Sequence, residues 1–237
     1  MNAPAIHVEG LEKTFVFHLR GGARLQVLRG VSFDVHPGEC AVLGGPSGTG
    51  KSSILRMIYG NYHTGAGSIL IRSGGELVDI ARAEPRQVLA LRARSMSYVS
   101  QFLRVIPRVA TIDIVAEPLI ADGAARDAAL KRASELLSRL NLPERLWGLP
   151  PATFSGGEQA RVNIARGFAA SRPILLLDEP TASLDAGNRD VVAELVTEKK
   201  RDGAAVLGIF HDEDIRERLA DRIIDVTRFA AASPAAA

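Results

Sequence analysis

The stretch Gly45-Pro46-Ser47-Gly48-Thr49-Gly50-Lys51-Ser52 fits GxxxxGK[ST] at every specified position and follows directly on the apolar run Cys40-Ala41-Val42-Leu43. A buried strand that ends in such a loop points to an α/β fold, with the loop at the strand's carboxyl end. Glycines are needed because the backbone must curl around an oxyanion with its N–H groups inward, a conformation that side chains obstruct. Lys51 then reaches the β- and γ-phosphates, and the Ser52 hydroxyl is placed to ligate Mg²⁺. Ser53-Ile54-Leu55-Arg56-Met57-Ile58-Tyr59 reads as a helix whose positive N-terminal end faces the anion. The competing reading is a Gly-rich turn between a strand and a helix. A shuffled chain of this composition would match on the order of once in a hundred or less, so nucleotide binding is the stronger reading.

With 237 residues, 46% of them hydrophobic, the chain can bury a sizeable core as one large domain, or as one domain with a smaller lobe. Lys plus Arg number 29 against 27 for Asp plus Glu, and a formal charge of +2 creates no overall field that would draw in nucleic acid. The lone cysteine, Cys40, reads as a small core hydrophobe and suits a reducing compartment. No stretch approaches the ~20 consecutive apolar residues of a membrane span, and Met1 to Phe15 lacks the apolar centre of a secretion signal. A cytoplasmic protein without direct membrane insertion is expected.

Along the chain, Ile6-His7-Val8, Thr14 to Phe17 and Val27 to Val35 read as strands, with His18 to Arg24 a polar connection and His36-Pro37-Gly38-Glu39 a turn. Ser68 to Ile71 and Leu77 to Ile80 flank Ser73-Gly74-Gly75 as a hairpin. Pro85 to Arg94 is expected to be helical, and Ser97-Tyr98-Val99 a short strand ending at Gln101. From Val115 to Leu142 the pattern is helical, with Ala128, Leu130, Ala133, Leu136, Leu137 and Leu140 near a three-to-four spacing. Ser155 is placed to cap a helix running to about Ala170. Ile174 to Leu177 and Val206 to Phe210 read as buried parallel strands, ending in Asp178-Glu179 and in His211. Polar residues at the carboxyl ends of strands are where an open α/β sheet places its ligand site.

Gly45 to Ser52, Gln101, Ser155-Gly156-Gly157-Glu158-Gln159, Ile174 to Glu179, Ser183-Leu184-Asp185 and His211 occur in the order and approximate spacing of ABC-type ATPases, and the resemblance covers nearly the whole chain. It departs at Phe154, where the family usually has Leu, and at Glu158, where Gln is commoner. The resemblance implies a P-loop NTPase core with a mostly parallel sheet, an N-terminal antiparallel β subdomain and an inserted α-helical subdomain at about 102–170. The expected boundaries are a single ABC ATPase domain over 1–229 and a disordered tail over 230–237. ATP and Mg²⁺ are the implied cofactors. Nucleotide contacts are expected from Phe15 and from Gly45 through Ser53, with the metal held by Ser52, Gln101 and Asp178. Glu179, beside Asp178, can polarise the attacking water. By resemblance Gln101 bridges the metal or the water, His211 hydrogen-bonds the γ-phosphate, and Lys51 completes the catalytic set. Phe15 resembles the aromatic that stacks on adenine; Phe17 is then expected in the core, and is the next candidate should Phe15 itself be core.

Ser155-Gly156-Gly157, with Glu158, resembles the surface that closes over ATP held by a partner subunit, and Asp185 the residue that links the two sites across that interface. From the residues alone, the glycine pair is equally a helix-start turn. The resemblance thus implies a homodimer or a heterodimer with a related ATPase. Ser100 to Arg108, Asn141 to Trp147 and Gly208 to Asp212 narrow it to the PhnL subfamily of the carbon–phosphorus lyase system. That subfamily implies ATP-driven support, beside soluble phosphonate-degrading proteins, for formation of ribose 1-phosphonate 5-triphosphate. The alternative is the nucleotide-binding subunit of a membrane transporter, with a permease as partner. The two separate on the stretch after Gln101 and the helical lobe, where transport ATPases grip their membrane partner.

Overall fold

The computed structural model of the chain describes residues 3–17, 22–101 and 108–230. Expectations resting on His18, on the segment 102–107 and on the tail after Ala230 lie outside those residues.

The two short strands expected near the N-terminus are one strand, β1 (Ile6–Phe17), paired with β2 (Ala23–Val35). Its register shifts between Val8 and Leu11, between Leu11 and Lys13, and between Lys13 and Thr14. These bulges interrupt the alternation of side chains, so the sequence pattern splits where the strand does not. β2 begins inside the stretch expected as a connection. β4 (Ala66–Ser73) pairs with β1 and with β5 (Glu76–Asp79), giving an antiparallel sheet of order β2-β1-β4-β5. The hairpin turns at Gly74-Gly75, both at positive φ (57° and 91°), as the two glycines require.

The second sheet is parallel throughout. Its order is β6 (Met96–Val99), β7 (Ile174–Asp178), β8 (Ala205–Ile209), β3 (Cys40–Gly44) and β9 (Arg222–Asp225). Every residue of β7 and β8 is buried, because both faces are covered. Leu175 and Leu177 join Cys40, Val42 and Val206 under the helices, while Ile174 and Leu176 join Ala41, Leu43, Leu207 and Ile209 on the face covered by α1 (Lys51–Ile58) and the antiparallel sheet. A strand with two dry faces needs a continuous apolar run, which is how β7 and β8 read. Cys40 is fully buried, and burial pushes its thiol up to about 12, leaving it inert as a nucleophile.

The helical pattern from Val115 to Leu142 is two helices, α3 (Thr111–Ala121) and α4 (Arg126–Arg139), parted at Gly123 with φ 91°. The buried face of α4 is Ala129, Ala133, Leu136 and Leu137, whereas Ala128, assigned to that face by spacing, is exposed. α5 (Gly156–Ala169) packs on both helices and on β6. α2 (Pro85–Ser95), with Pro85 in its first turn, leads into β6; α6 (Ala186–Arg201) and α7 (Glu213–Leu219) follow β7 and β8.

Gly67, in β4 beside the β1 bulge, has φ 86°, and a Cβ there would lie 2.5 Å from the carbonyl oxygens of Glu9 and Gly10. Those are backbone atoms and cannot swing aside. Gly67→Ala is expected to cost about 3 kcal/mol in denaturant unfolding, combining ~1–2 kcal/mol of left-handed backbone with overpacking. Gly74→Ala, with open space around its Cβ position, should lose only the backbone part. Equal losses would contradict this account of the bulge.

Candidate functional site

Four neighbouring parallel strands deliver the candidate residues to one edge of the sheet. β6 leads to Gln101, β7 ends in Asp178 with Glu179 next, β8 leads to His211, and β3 runs into the phosphate loop. The register, with Val99 beside Leu177 and Asp178 beside Ile209, sets them level.

In the phosphate loop Gly45, Gly48 and Gly50 take φ of 126°, 84° and 96°. At Gly50 a Cβ would also strike Val27 and Leu28 of β2 at 2.9 Å, so that position is closed to other residues by space as well as by backbone. Helix α1 starts at Lys51, with Ser52 and Ser53 in its first turn. The buried Lys51 Nζ donates to the carbonyls of Gly45 (2.7 Å) and Pro46 (2.8 Å). An ammonium has three donors, so one remains for an anion in the loop. Burial draws the Lys51 pKa down, opposed by the charges of Glu179 and Asp178.

Asp178 is fully buried and doubly held. Ser52 Oγ donates to its Oδ1 at 2.8 Å, and the Tyr98 hydroxyl donates to its Oδ2 at 3.0 Å. Ser52 and Asp178 are hard oxygen donors side by side, which fits Mg²⁺. Among the described residues no group of three or more His, Cys, Asp or Glu forms a metal cage. Magnesium seldom uses one; it takes one or two carboxylates and completes its shell with phosphates and water.

Glu179 sits in the left-handed region at φ 53°, pinned by its N–H to Ile209 O at 3.1 Å. A non-glycine residue held there costs on the order of 1–2 kcal/mol, so the surroundings must enforce it. Its Oε1 lies 2.7 Å from His211 Nε2, and its Oε2 accepts from Gln101 Nε2 at 3.2 Å. A carboxylate has no proton to give, so His211 carries its proton on Nε2. Glu179, Thr181, Leu184, Arg189, His211 and Asp212 line a cavity of about 310 Å³.

Ser155 caps α5 reciprocally with Glu158: the Glu158 N–H donates to Ser155 Oγ at 3.3 Å, and the Ser155 N–H and Oγ donate to Glu158 Oε2 at 2.8 and 2.7 Å. The Ser155 bonds hold the Glu158 carboxyl below the usual range, and its carboxylate is engaged in the cap. Ser155 and Gly156 are exposed, and among the described residues neither is hydrogen-bonded to the phosphate loop. A Cβ on Gly157 would lie 3.0 Å from Ser183 O, so this helix start abuts the segment leading to Asp185. Asp185 is exposed and caps α6, accepting from Asn188 N (2.9 Å) and Asn188 Nδ2 (2.8 Å). Thus the pair expected to face a second subunit is presented outward on two capped helix starts.

Phe15 is half-buried, meets the Tyr62 ring edge-on at 5.6 Å, and has Lys13 Nζ 4.9 Å from its centroid. Phe17 is 44% exposed and not a core ring, because it lies at the outer end of β1, beyond the region packed on the sheet. Three residues at the site carried no signal in spacing: Tyr98 against Asp178, Arg56 with Nη1 donating to the Tyr62 hydroxyl at 2.9 Å, and Tyr62 itself. Only knowing that β6 lies beside β7 brings Tyr98 to Asp178.

The sequence matches the ABC transporter family over residues 28–182. It is 36% identical over 225 residues to the lipoprotein-releasing system ATP-binding protein LolD of Novosphingobium aromaticivorans, covering 94% of this chain and 96% of that one. It is 34% identical over 224 residues to the macrolide export ATP-binding/permease protein MacB of Brucella melitensis, covering 94% of this chain and 33% of that one. Among solved structures it resembles an ATP-binding cassette determined as a dimer in a post-hydrolysis state with ADP and Pi, at TM-score 0.83 and 28% identity over 93% of each chain. Both sheets, the helical insertion and the phosphate loop agree with that fold. ATPases of this kind bind ATP with Mg²⁺ and hydrolyse it. The family match spans well over half of the chain, and with these relatives it shows that the chain belongs to the ABC transporter ATPase family.

Proposed function

We propose that this chain is the nucleotide-binding subunit of an ABC membrane transporter and hydrolyses ATP while paired with a second ATPase, identical or related. The observation that carries the transporter reading is a groove of about 520 Å³ on the helical lobe, close in sequence to Gln101. Val109, Ile114, Ile120 and Ala121 make its floor apolar, and Asp113, Glu117, Arg126 and Arg166 charge its rim. Such a surface suits a short amphipathic segment on the cytoplasmic side of a permease. The names of the relatives, lipoprotein release and macrolide export, support the same reading. Among the described residues no helix is long and apolar enough to cross a membrane, so the spans would belong to another protein or another part of the protein. The likeness to the phosphonate lyase subfamily at Asn141 to Trp147 and Gly208 to Asp212 is the ground for a second reading, in which the partners are soluble phosphonate-degrading proteins; the relatives described here do not support it.

In the proposed mechanism the phosphate loop from Gly45 to Ser53 holds the phosphates with backbone N–H groups, and Lys51 gives its free donor to them. Ser52, Asp178 and Gln101 would hold Mg²⁺, and the ion would supply positive charge to offset that of the phosphates. Glu179 takes the proton of a water whose oxygen bonds to the γ-phosphorus as the bond from that phosphorus to the ADP oxygen breaks, leaving ADP and phosphate. His211 Nε2, 2.7 Å from Glu179 Oε1, orients that carboxylate, and in the proposed mechanism its imidazole would turn to hydrogen-bond the γ-phosphate. Ser155, Gly156 and Gly157 close over the partner's nucleotide, and Asp185 links the two sites. Phe15 stacks on adenine.

Tagged protein purified from detergent-solubilised membranes is expected to bring down a multi-span permease, and Ile120→Glu, at a position 37% exposed, should release it while melting stays within about 2 °C of wild type. Recovery of soluble proteins alone would favour the phosphonate reading. For the base, Phe15→Ala should weaken ATP binding by the roughly 1–3 kcal/mol of one base–aromatic stack. Phe17→Ala, exposed as it is, should neither bind nor melt differently; if it alone loses affinity, Phe17 is the stacking ring.

A further inference from the structure

Asp178 Oδ1 and Ser52 Oγ hydrogen-bond each other, and both atoms belong to the proposed metal site. A hydroxyl oxygen keeps two lone pairs while it donates its proton, so Ser52 can hold Oδ1 and face the ion at the same time. One bond alone leaves the carboxylate free to turn about Cγ. What fixes it is the other oxygen. Oδ2 is pinned by the Tyr98 hydroxyl at 3.0 Å, and the Tyr98 ring packs in turn against Tyr59 at the end of α1, with centroids 4.8 Å apart.

Asp178 is thus held from two elements, Oδ1 by the first turn of α1 and Oδ2 by β6. A carboxylate only accepts, so the single proton of the Tyr98 hydroxyl lies on the Oδ2 side. We infer that Tyr98 is a positioning residue for the metal: its hydroxyl anchors Asp178 Oδ2 so that Oδ1 and Ser52 Oγ keep one direction toward the ion. This rests on the proposed assignment of Ser52 and Asp178 to Mg²⁺.

The test is metal affinity, read without turnover. Mn²⁺ binding is followed by electron paramagnetic resonance in the presence of a non-hydrolysable ATP analogue, and analogue binding is measured separately in EDTA. Tyr98→Phe keeps the ring against Tyr59 and removes only the hydroxyl. It should raise the apparent Mn²⁺ dissociation constant roughly tenfold, the low end for losing a hydrogen-bond partner of a metal ligand, with analogue affinity in EDTA unchanged. Tyr59→Leu, which loosens the Tyr98 ring without removing its hydroxyl, should shift the same constant in the same direction by less, and serves also if Tyr98→Phe folds poorly. Asp178→Asn marks the ligand itself. If Asp178→Asn weakens Mn²⁺ binding but neither Tyr98→Phe nor Tyr59→Leu does, the inference is overturned and the metal assignment stands. If Asp178→Asn also leaves Mn²⁺ affinity untouched, the metal assignment fails and the inference with it. A loss of analogue binding in EDTA equal to the loss with Mn²⁺ would overturn the inference too, since it would mean general damage to the phosphate loop.

Discussion

The parallel pairing of β7 with β8 and of β8 with β3 is the constraint on which the site depends. None of Asp178, Glu179, His211 or Lys51 is near another in sequence except the first two, and no local motif brings them together. The sheet does so because three strands buried on both faces have only one register in which their apolar residues fill both cores. Once that register is set, three strand ends fall side by side. The chemistry is then the consequence of which residue comes next after each apolar run.

Around that edge the polar groups hold one another in place. Glu179 is kept at a left-handed backbone angle by a bond to β8, and it organises His211 and Gln101 through its two oxygens. Asp178 joins β7 to the first turn of α1 and to β6. The buried carboxylate is tolerable because both its oxygens are hydrogen-bonded, and removing either donor would leave an unpaired charge-bearing atom in a dry place. By contrast Ser155 and Asp185 satisfy their side chains within their own helix caps, yet stand at exposed helix starts. The start of α5 therefore stands at the surface, where the proposed partner's nucleotide would meet it.

Legibility in the sequence followed from how local each signal is. The phosphate loop, the two buried strands with their acidic and histidine ends, the glycine hairpin and the Ser155 cap all rest on neighbouring residues, and all are found where expected. The bulged β1 reads as two strands in the sequence because an extra residue inverts the alternation, and α3 with α4 reads as one pattern because Gly123 is a single residue among helix formers. β9, a four-residue edge strand with exposed Arg222 and Ile223, carries no apolar run to notice. Tyr98 is invisible as a site residue in the sequence, since its contact with Asp178 exists only once β6 is laid beside β7.

The central claim is that one chain carries two half-sites that are joined only by nucleotide and a second chain. Sedimentation of Glu179→Gln measures this most directly, because loss of the proposed base should trap the bound ATP. With ATP and Mg²⁺ the variant should sediment as a dimer, return to a monomer when ATP is replaced by ADP, and remain a monomer in ATP when Lys51→Ala is added. A Glu179→Gln protein that stays monomeric in saturating ATP and Mg²⁺, alone and with any co-purified ATPase partner, would contradict the account.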